Sequence, residues 1–186
     1  DIKFGNNKEF SGYDIEFRNV SFKYDTANIL ENLSFRLEEN KTYALVGSSG
    51  GGKSTIAKLI SGFYNINEGE ILIGGKNIST YSREALMNNI SFVFQNSKLF
   101  KTTIFENVKI GNANASYEEV MNALKLARCG DILDKFETRE NTVIGLKGVH
   151  LSGGEIQRIA IARAILKDAK IIILDEASAA SDPENE

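Results

Sequence analysis

The sequence has little of several features that would place it in a special class of protein. Its 186 residues include a single cysteine, Cys129. One cysteine cannot form an internal disulfide, which suits a reducing compartment, and we expect this thiol to be inert. The longest apolar runs, such as the one over residues 171–174, fall far short of the ~18 residues that a membrane span requires. The sequence also lacks the pattern of a secretory signal.

An excess of charge of either sign is missing as well. The chain has 22 lysine and arginine residues against 25 aspartate and glutamate residues, for a formal net charge of −3. This balance does not indicate a nucleic-acid-binding surface, and we expect no nucleic acid partner. The hydrophobic content of 42% and the charged content of 25% are ordinary for a soluble domain with a real core. The chain begins with Asp1, so we expect it to be a piece of a longer polypeptide.

The strongest chemical signal is the stretch over residues 47–55, which reads G-S-S-G-G-G-K-S-T. It fits the phosphate-binding pattern G-x-x-x-x-G-K-[ST]. Glycines let the backbone N–H groups point inward at anionic oxygens, and a following helix adds its positive N-terminal end. Lys53 can reach the β- and γ-phosphates, and the Ser54 hydroxyl can ligate Mg²⁺.

The alternative for this stretch is a glycine-rich turn with a chance lysine. The flanking pattern argues against it, because residues 42–46 form a β-prone apolar run and residues 56–60 have helical character. A strand, a glycine loop and a helix in this order are what phosphate binding needs. The candidate nucleotide-binding residues here are Gly47, Ser48, Ser49, Gly50, Gly51, Gly52, Lys53, Ser54 and Thr55.

Two carboxylates follow the apolar run at residues 171–174. Ligands of open α/β sheets lie at the carboxyl ends of strands, so Asp175 and Glu176 are expected at the edge that carries the phosphate loop. Asp175 can hold Mg²⁺, and Glu176 can act as the general base toward an attacking water. Taken alone, a solvated turn would explain the pair equally well; the phosphate loop in the same chain favours the functional interpretation.

The segment L-S-G-G-E over residues 151–155 is the most discriminating one. Ser152, Gly153 and Gly154 come immediately before a helical pattern, which makes a second anion-binding helix start. The hydroxyl of the serine can donate, and the glycines expose their N–H groups. An ordinary helix cap preceded by glycines is the alternative; the presence of all three motifs in this order favours anion binding.

The remaining patterns indicate an α/β protein. Apolar residues alternate over residues 15–24, where a slip at Arg18-Asn19 predicts a bulge, and again over residues 33–37. This pattern predicts an antiparallel β-piece before the phosphate loop. Ser116 and Glu119 form a capping-box signature within a largely helical insertion. The run at residues 171–174 is expected to be a parallel strand covered on both faces. Residues 1–12 are read as a linker or frayed terminus.

These motifs together resemble the nucleotide-binding domain of an ABC transporter, over about residues 13–186. The resemblance implies a P-loop NTPase core with a mainly parallel sheet, an N-terminal antiparallel β subdomain and a helical subdomain at about residues 96–154. The stretches over residues 103–108 and 142–148 are similar to the exporter branch, in which membrane and ATPase domains share one polypeptide. The domain is expected to continue beyond Glu186.

The resemblance also implies roles for single residues. Tyr24 is similar to the aromatic residue that stacks on adenine, and Gln95 to the glutamine that touches Mg²⁺ and faces the membrane partner. Together with Lys53 and Glu176, Gln95 belongs to the expected catalytic set. The expected metal ligands are Ser54, Gln95 and Asp175, and the expected cofactors are ATP and Mg²⁺.

Several features depart from the family pattern. The segment over residues 151–155 resembles the family's signature, which ends in Glu155 here where glutamine is more usual. Asn40 replaces a frequent glycine. The family's switch histidine would lie beyond Glu186, so we expect this chain to bind nucleotide better than it hydrolyses it. The lone histidine, His150, lies upstream of the signature and is expected in a loop role.

The functional expectation is an ATPase domain that powers export from the cytoplasmic face of the plasma (inner) membrane. By resemblance, two domains pair head to tail, as a homodimer or a heterodimer, and each works with a transmembrane domain. One alternative is a soluble ABC clamp acting on nucleic acid or the ribosome, which the acidic balance and the exporter-like stretch disfavour. Another is a half-site that binds ATP but hydrolyses it poorly.

Overall fold

A computed structural model describes residues 2–48, 50–94, 96–145 and 149–175. The chain divides into two compact units, Asp1–Ile90 and Ser91–Glu186. Helices and strands occur in both, as expected for an α/β protein. Over the described ranges, no helix has the length and apolar character needed to cross a membrane.

The first unit is built on a four-stranded antiparallel sheet with the strand order β2-β1-β3-β4. Its strands are β1 (Ile15–Lys23), β2 (Asn28–Leu37), β3 (Glu68–Ile73) and β4 (Lys76–Asn77). The helices α1 (Lys53–Ile60) and α2 (Arg83–Asn89) complete it. The antiparallel β-piece expected before the phosphate loop is therefore confirmed.

The bulge predicted in β1 is also confirmed. Phe17 and Val20 are both buried although three positions separate them, because the register with β2 shifts between them. Asn19 absorbs the irregularity with a φ of 48°, a left-handed conformation that asparagine tolerates better than most residues. The bulge keeps the apolar side chains of the strand on one face.

The run at residues 42–46 does not form the strand that its sequence predicts. Residues 41–48 have no regular secondary structure, and Val46 is 90% exposed. A β-prone segment becomes a strand only when a neighbouring strand completes its hydrogen-bond ladder, and the described four-stranded sheet does not include these residues.

The N-terminal segment is packed rather than frayed. The Gly5 N–H donates to the Tyr81 carbonyl at 2.9 Å, and the Asn7 N–H donates to the Thr80 carbonyl at 3.0 Å. The ring of Phe10 stacks on that of Tyr81 with centroids 4.0 Å apart. Backbone hydrogen bonds and ring stacking therefore hold this segment against residues 80–81.

The second unit is mainly helical around one hydrophobic core. Its helices are α3 (Ile104–Lys109), α4 (Tyr117–Leu126), α5 (Gly130–Asp134) and α6 (Gly153–Leu166). The predicted capping box between Ser116 and Glu119 is present at the start of α4. Cys129 is fully buried in this core, and burial raises the pKa of its thiol to about 11, as expected for an inert cysteine.

Strands β5 (Ile90–Val93) and β6 (Ile171–Leu174) pair with each other. The Asp175 N–H donates to the Val93 carbonyl at 3.0 Å, so the carboxyl ends of the two strands meet and the strands run parallel. The expectation that β6 is covered on both faces is wrong for the described residues, since Ile172 and Leu174 are each 46% exposed. Apolar composition does not decide how many faces of a strand are covered; the neighbouring elements do.

A pair of glycines tests how tightly β1 and β3 approach each other. A Cβ at Gly69 (φ 87°) would lie 2.3 Å from the Asn19 carbonyl oxygen, whereas one at Gly75 (φ 77°) would meet no atom within 4 Å. We expect Gly75→Ala to lower the free energy of unfolding by about 1 kcal/mol through the left-handed φ alone. Gly69→Ala should lower the free energy of unfolding by about 3 kcal/mol or more, because the backbone must also move. Urea unfolding of both variants measures this, and equal losses would contradict the close approach.

Candidate nucleotide-binding site

The phosphate loop leads directly into α1 and has the backbone shape of an anion cradle. Gly50 and Gly52 have φ angles of 79° and 84°, and Gly52 is the N-cap of α1. The Gly51 N–H donates to the Ser48 carbonyl at 3.1 Å, which closes the turn. No acidic residue lies in the first turn of α1, so the positive end of the helix is not neutralised from within. This arrangement suits a phosphate group.

Lys53 folds back over this loop. Its Nζ donates to the carbonyl oxygens of Gly47 at 2.7 Å and of Ser48 at 2.6 Å. The ammonium group therefore lies beside the same backbone whose N–H groups form the cradle. An anion in the loop would offer stronger acceptors to this ammonium than neutral carbonyl oxygens do.

Tyr24 lies beside the same helix. Its hydroxyl and the Thr55 hydroxyl form a hydrogen bond of 3.2 Å, and its ring packs edge-on against Phe22 and Tyr64 with centroids 4.9 and 5.1 Å apart. The side chain is 38% exposed, so part of the ring is accessible next to the phosphate loop. The sequence indicates a role for Tyr24 only through the family resemblance. The ring contact from Tyr64 was missed, since the only signal for it is the aromatic character of residues 63–64.

The signature segment forms the start of α6, with Ser152 as its N-cap. The Ser152 Oγ accepts from the Glu155 N–H at 3.3 Å, and the Glu155 Oε2 accepts from the Ser152 N–H at 2.8 Å. This capping box satisfies two of the donors of the helix start and leaves the first-turn N–H groups of Gly153 and Gly154 without intrahelical acceptors. Because Ser152 Oγ is the acceptor in its cap, the hydroxyl hydrogen stays available for donation. The cap and the expected anion binding are therefore compatible.

Two ion pairs connect α5 with the start of α6. The Arg158 guanidinium donates to both carboxylate oxygens of Asp131, at 2.7 and 2.9 Å, and Lys135 Nζ pairs with Glu155 Oε1. The pKa of Glu155 is lowered, mainly by the hydrogen bond from the Lys135 ammonium and next by the one from the Ser152 N–H. The Arg158 hydrogen bonds lower the pKa of Asp131 in the same way. Sequence reasoning missed Lys135, because a pairing across the gap between two helices leaves no local pattern.

The structure describes only some of the remaining residues that the sequence analysis singled out. Asp175 immediately follows β6, at the carboxyl ends of the parallel pair. His150 is exposed, as expected for a loop residue. Ser49, Gln95 and Glu176 lie outside the described residues. The phosphate loop and Tyr24 belong to the first unit, and Asp175 and the signature belong to the second.

One departure from the expected pattern has a simple backbone explanation. Asn40, which stands where a glycine is frequent, has a φ of 59°. Glycine adopts this left-handed conformation freely, and asparagine tolerates it better than residues with larger side chains. The replacement therefore preserves the turn that precedes residues 41–48.

Comparison with known proteins supplies the family. The model of the family described as ABC transporter matches residues 30–179. ABC transporter B family member 13 of Arabidopsis thaliana is 47% identical over 176 residues, which make up 93% of this chain and 14% of that protein. The ATP-dependent lipid A-core flippase of Escherichia coli (strain K12) is 46% identical over 176 residues, or 93% of this chain and 30% of the flippase. The chain therefore spans less than a third of the length of these relatives.

A solved structure agrees with the sequence relatives. The structure of a bacterial Atm1-family ABC exporter with ATP bound matches this chain with a TM-score of 0.88 at 39% identity, over 98% of this chain and 32% of that chain. The match confirms the expected fold class of an α/β ABC ATPase with an antiparallel sheet and a helical part. The family match, the identity to its relatives and the shared fold together show that this chain belongs to the ABC transporter family.

Proposed function

We propose that this chain is the domain that binds and hydrolyses ATP in an exporter-type ABC transporter. The observation that carries the proposal is the phosphate loop itself, with its left-handed glycines, the Lys53 ammonium folded over it and Tyr24 beside the first turn of α1. Each of these features has a counterpart in the chemistry of ATP. The loop and α1 suit the phosphates, and an exposed aromatic ring suits the adenine.

The residues of the phosphate loop bind ATP in this proposal. The N–H groups of residues 47–55 donate to the phosphate oxygens, and Lys53 moves from the Gly47 and Ser48 carbonyls to the β- and γ-phosphates. Such a set acts by positioning and charge neutralisation, which is most of what phosphoryl transfer requires. The ring of Tyr24, fixed through its hydroxyl to Thr55, stacks on the adenine.

The same proposal assigns the metal and the base. Ser54, Gln95 and Asp175 supply the hydroxyl, amide and carboxylate oxygens that suit Mg²⁺, and the end of β6 is a suitable place for a carboxylate ligand. When bound, Mg²⁺ neutralises charge on the β- and γ-phosphate oxygens. Glu176 takes a proton from the attacking water, and the products are ADP and phosphate.

The signature segment acts on a second nucleotide in this proposal. Ser152, Gly153 and Gly154 contact the γ-phosphate of ATP bound by a partner domain, either an identical chain or a related one, in a head-to-tail pair. A transmembrane domain on the same or a partner polypeptide completes the exporter, with this domain at the cytoplasmic face of the membrane. The proteins that support this proposal are a lipid A-core flippase and an Atm1-family exporter; they disfavour a soluble clamp on nucleic acid.

Two substitutions separate binding from hydrolysis, and both are made in the full polypeptide that contains this chain. We expect Lys53→Met to weaken ATP binding by about tenfold or more, because a charge-assisted contact to the phosphates is lost. Glu176→Gln should keep ATP binding and reduce turnover by about 100-fold or more, because the base is lost. Equilibrium binding of ATP and phosphate release measure the two effects.

The matched control is Lys58→Met, which removes a lysine in the last turn of the same helix. It should change neither ATP binding nor turnover. If turnover does not change in Glu176→Gln, then Glu176 is not the base. A wild-type protein that binds ATP but hydrolyses it very slowly would favour the half-site alternative.

The adenine contact has its own test. We expect Tyr24→Ala to weaken ATP binding by about fivefold or more, since stacking on a base is worth about 1–3 kcal/mol. Tyr24→Phe keeps the ring and loses only the bond to Thr55, so its ATP affinity should stay within about twofold. Inorganic tripolyphosphate, which has no adenine, should compete equally well in all three proteins. Equal ATP affinities of the alanine variant and the wild type would refute the stacking role.

A further inference from the structure

We propose that Lys135 is a positioning residue for the signature segment, and that it acts by holding and neutralising the carboxylate of Glu155. The inference rests on the proposed function, in which Ser152, Gly153 and Gly154 receive the γ-phosphate of a partner's ATP. It adds to that function the C-cap residue of α5, which touches neither nucleotide nor signature backbone. It also gives a reason why a glutamate works where glutamine is more usual.

The geometry links Lys135 to the signature through one buried side chain. The Glu155 side chain is only 9% exposed, and each of its oxygens has a partner. Oε2 accepts from the Ser152 N–H at 2.8 Å, and Oε1 pairs with the Lys135 ammonium. The Lys135 ammonium therefore holds the Glu155 carboxylate in place, and this carboxylate in turn binds the backbone N–H of the N-cap residue Ser152.

The cap also determines which groups face outward. Because Ser152 and Glu155 satisfy each other, the N–H groups of Gly153 and Gly154 are the first-turn donors left for a ligand. A Cβ added to either glycine would meet no atom within 4 Å, so no described atom packs against the side of the helix at these two positions. A shift of the cap would move these donors and the Ser152 hydroxyl together.

Electrostatics explains why the carboxylate needs a partner. A carboxylate at the helix start stabilises the cap in the absence of a ligand, but it repels a phosphate that approaches the same end. The Lys135 ammonium cancels this charge at direct contact. Glutamine can accept the same hydrogen bond from the Ser152 N–H without adding a charge, so the lysine is required only where the capping residue is glutamate.

A second ion pair provides a matched control. Arg158 and Asp131 join the same two helices with the opposite polarity, since here the cation is on α6 and the carboxylate on α5. Asp131→Asn weakens the attachment of α5 to α6 and leaves both partners of the Lys135–Glu155 ion pair in place. The two effects of Lys135, attachment and neutralisation, can therefore be separated.

The test uses the full polypeptide that contains this chain and measures ATP hydrolysis against ATP concentration. We expect Lys135→Met to raise the ATP concentration for half-maximal hydrolysis by about fivefold, because a carboxylate is left uncompensated beside the γ-phosphate site. Lys135→Arg keeps the charge and should stay within about twofold of the wild type. Inhibition by ADP should be unchanged in both, because ADP has no γ-phosphate for the signature to contact.

The double variant decides between charge and structure. Lys135→Met combined with Glu155→Gln should return to within about twofold of the wild type, because the uncompensated charge is gone while the hydrogen bond to Ser152 stays. If Lys135 were only a structural tie, the double variant would be at least as impaired as Lys135→Met. In Asp131→Asn, by contrast, adding Glu155→Gln should not lower the ATP concentration for half-maximal hydrolysis.

The outcomes are distinct. A Lys135→Met protein that behaves as the wild type, or a double variant that stays impaired, would overturn the inference while leaving the proposed function in place. A wild type that does not hydrolyse ATP would instead overturn the proposed function, and this is seen before any variant is compared. Should Lys135→Met fail to fold, Lys135→Gln carries the same comparison with a smaller polar side chain.

Discussion

The first turn of a helix has backbone N–H groups without intrahelical partners, and the chemistry of this chain depends on how two helices deal with them. Helix α1 has Gly52 as its N-cap, with no side-chain hydrogen bond at that cap and no acid in its first turn. In α6, a capping box that includes the charged Glu155 satisfies part of the N–H groups at the helix start. The N–H groups of Gly153 and Gly154 stay without intrahelical acceptors. In the proposed function, the start of α1 surrounds one phosphate and the start of α6 contacts another.

The surroundings of the two helix starts follow from this difference. Beside α1, the added groups are a cation and an aromatic ring, since Lys53 lies on the loop carbonyls and Tyr24 bonds to Thr55. Beside α6, the added group is a carboxylate, and a lysine from another helix compensates it. In both places a lysine ammonium lies near the helix start, Lys53 at α1 and Lys135 at α6.

Backbone features explain where sequence reasoning succeeded and where it failed. The bulge in β1 was predictable because a slip in alternation is visible in the order of apolar residues, and Asn19 carries it. The strand expected at residues 42–46 and the full coverage of β6 were not correct for the described residues. Apolar and β-branched residues show that a segment can pair and be buried, but they do not show which neighbours supply the pairing and the cover.

Features that depend on a few adjacent residues could be predicted from the sequence: the phosphate loop, the capping box at Ser116 and the acid after β6. Their physics acts over one or two turns of chain, so order and spacing suffice. Contacts between distant segments, such as Tyr24 with Thr55 and Lys135 with Glu155, became visible only in the folded chain. Such contacts depend on how helices and strands are oriented in the packed core, and a charge or a ring finds its partner only after that packing is fixed.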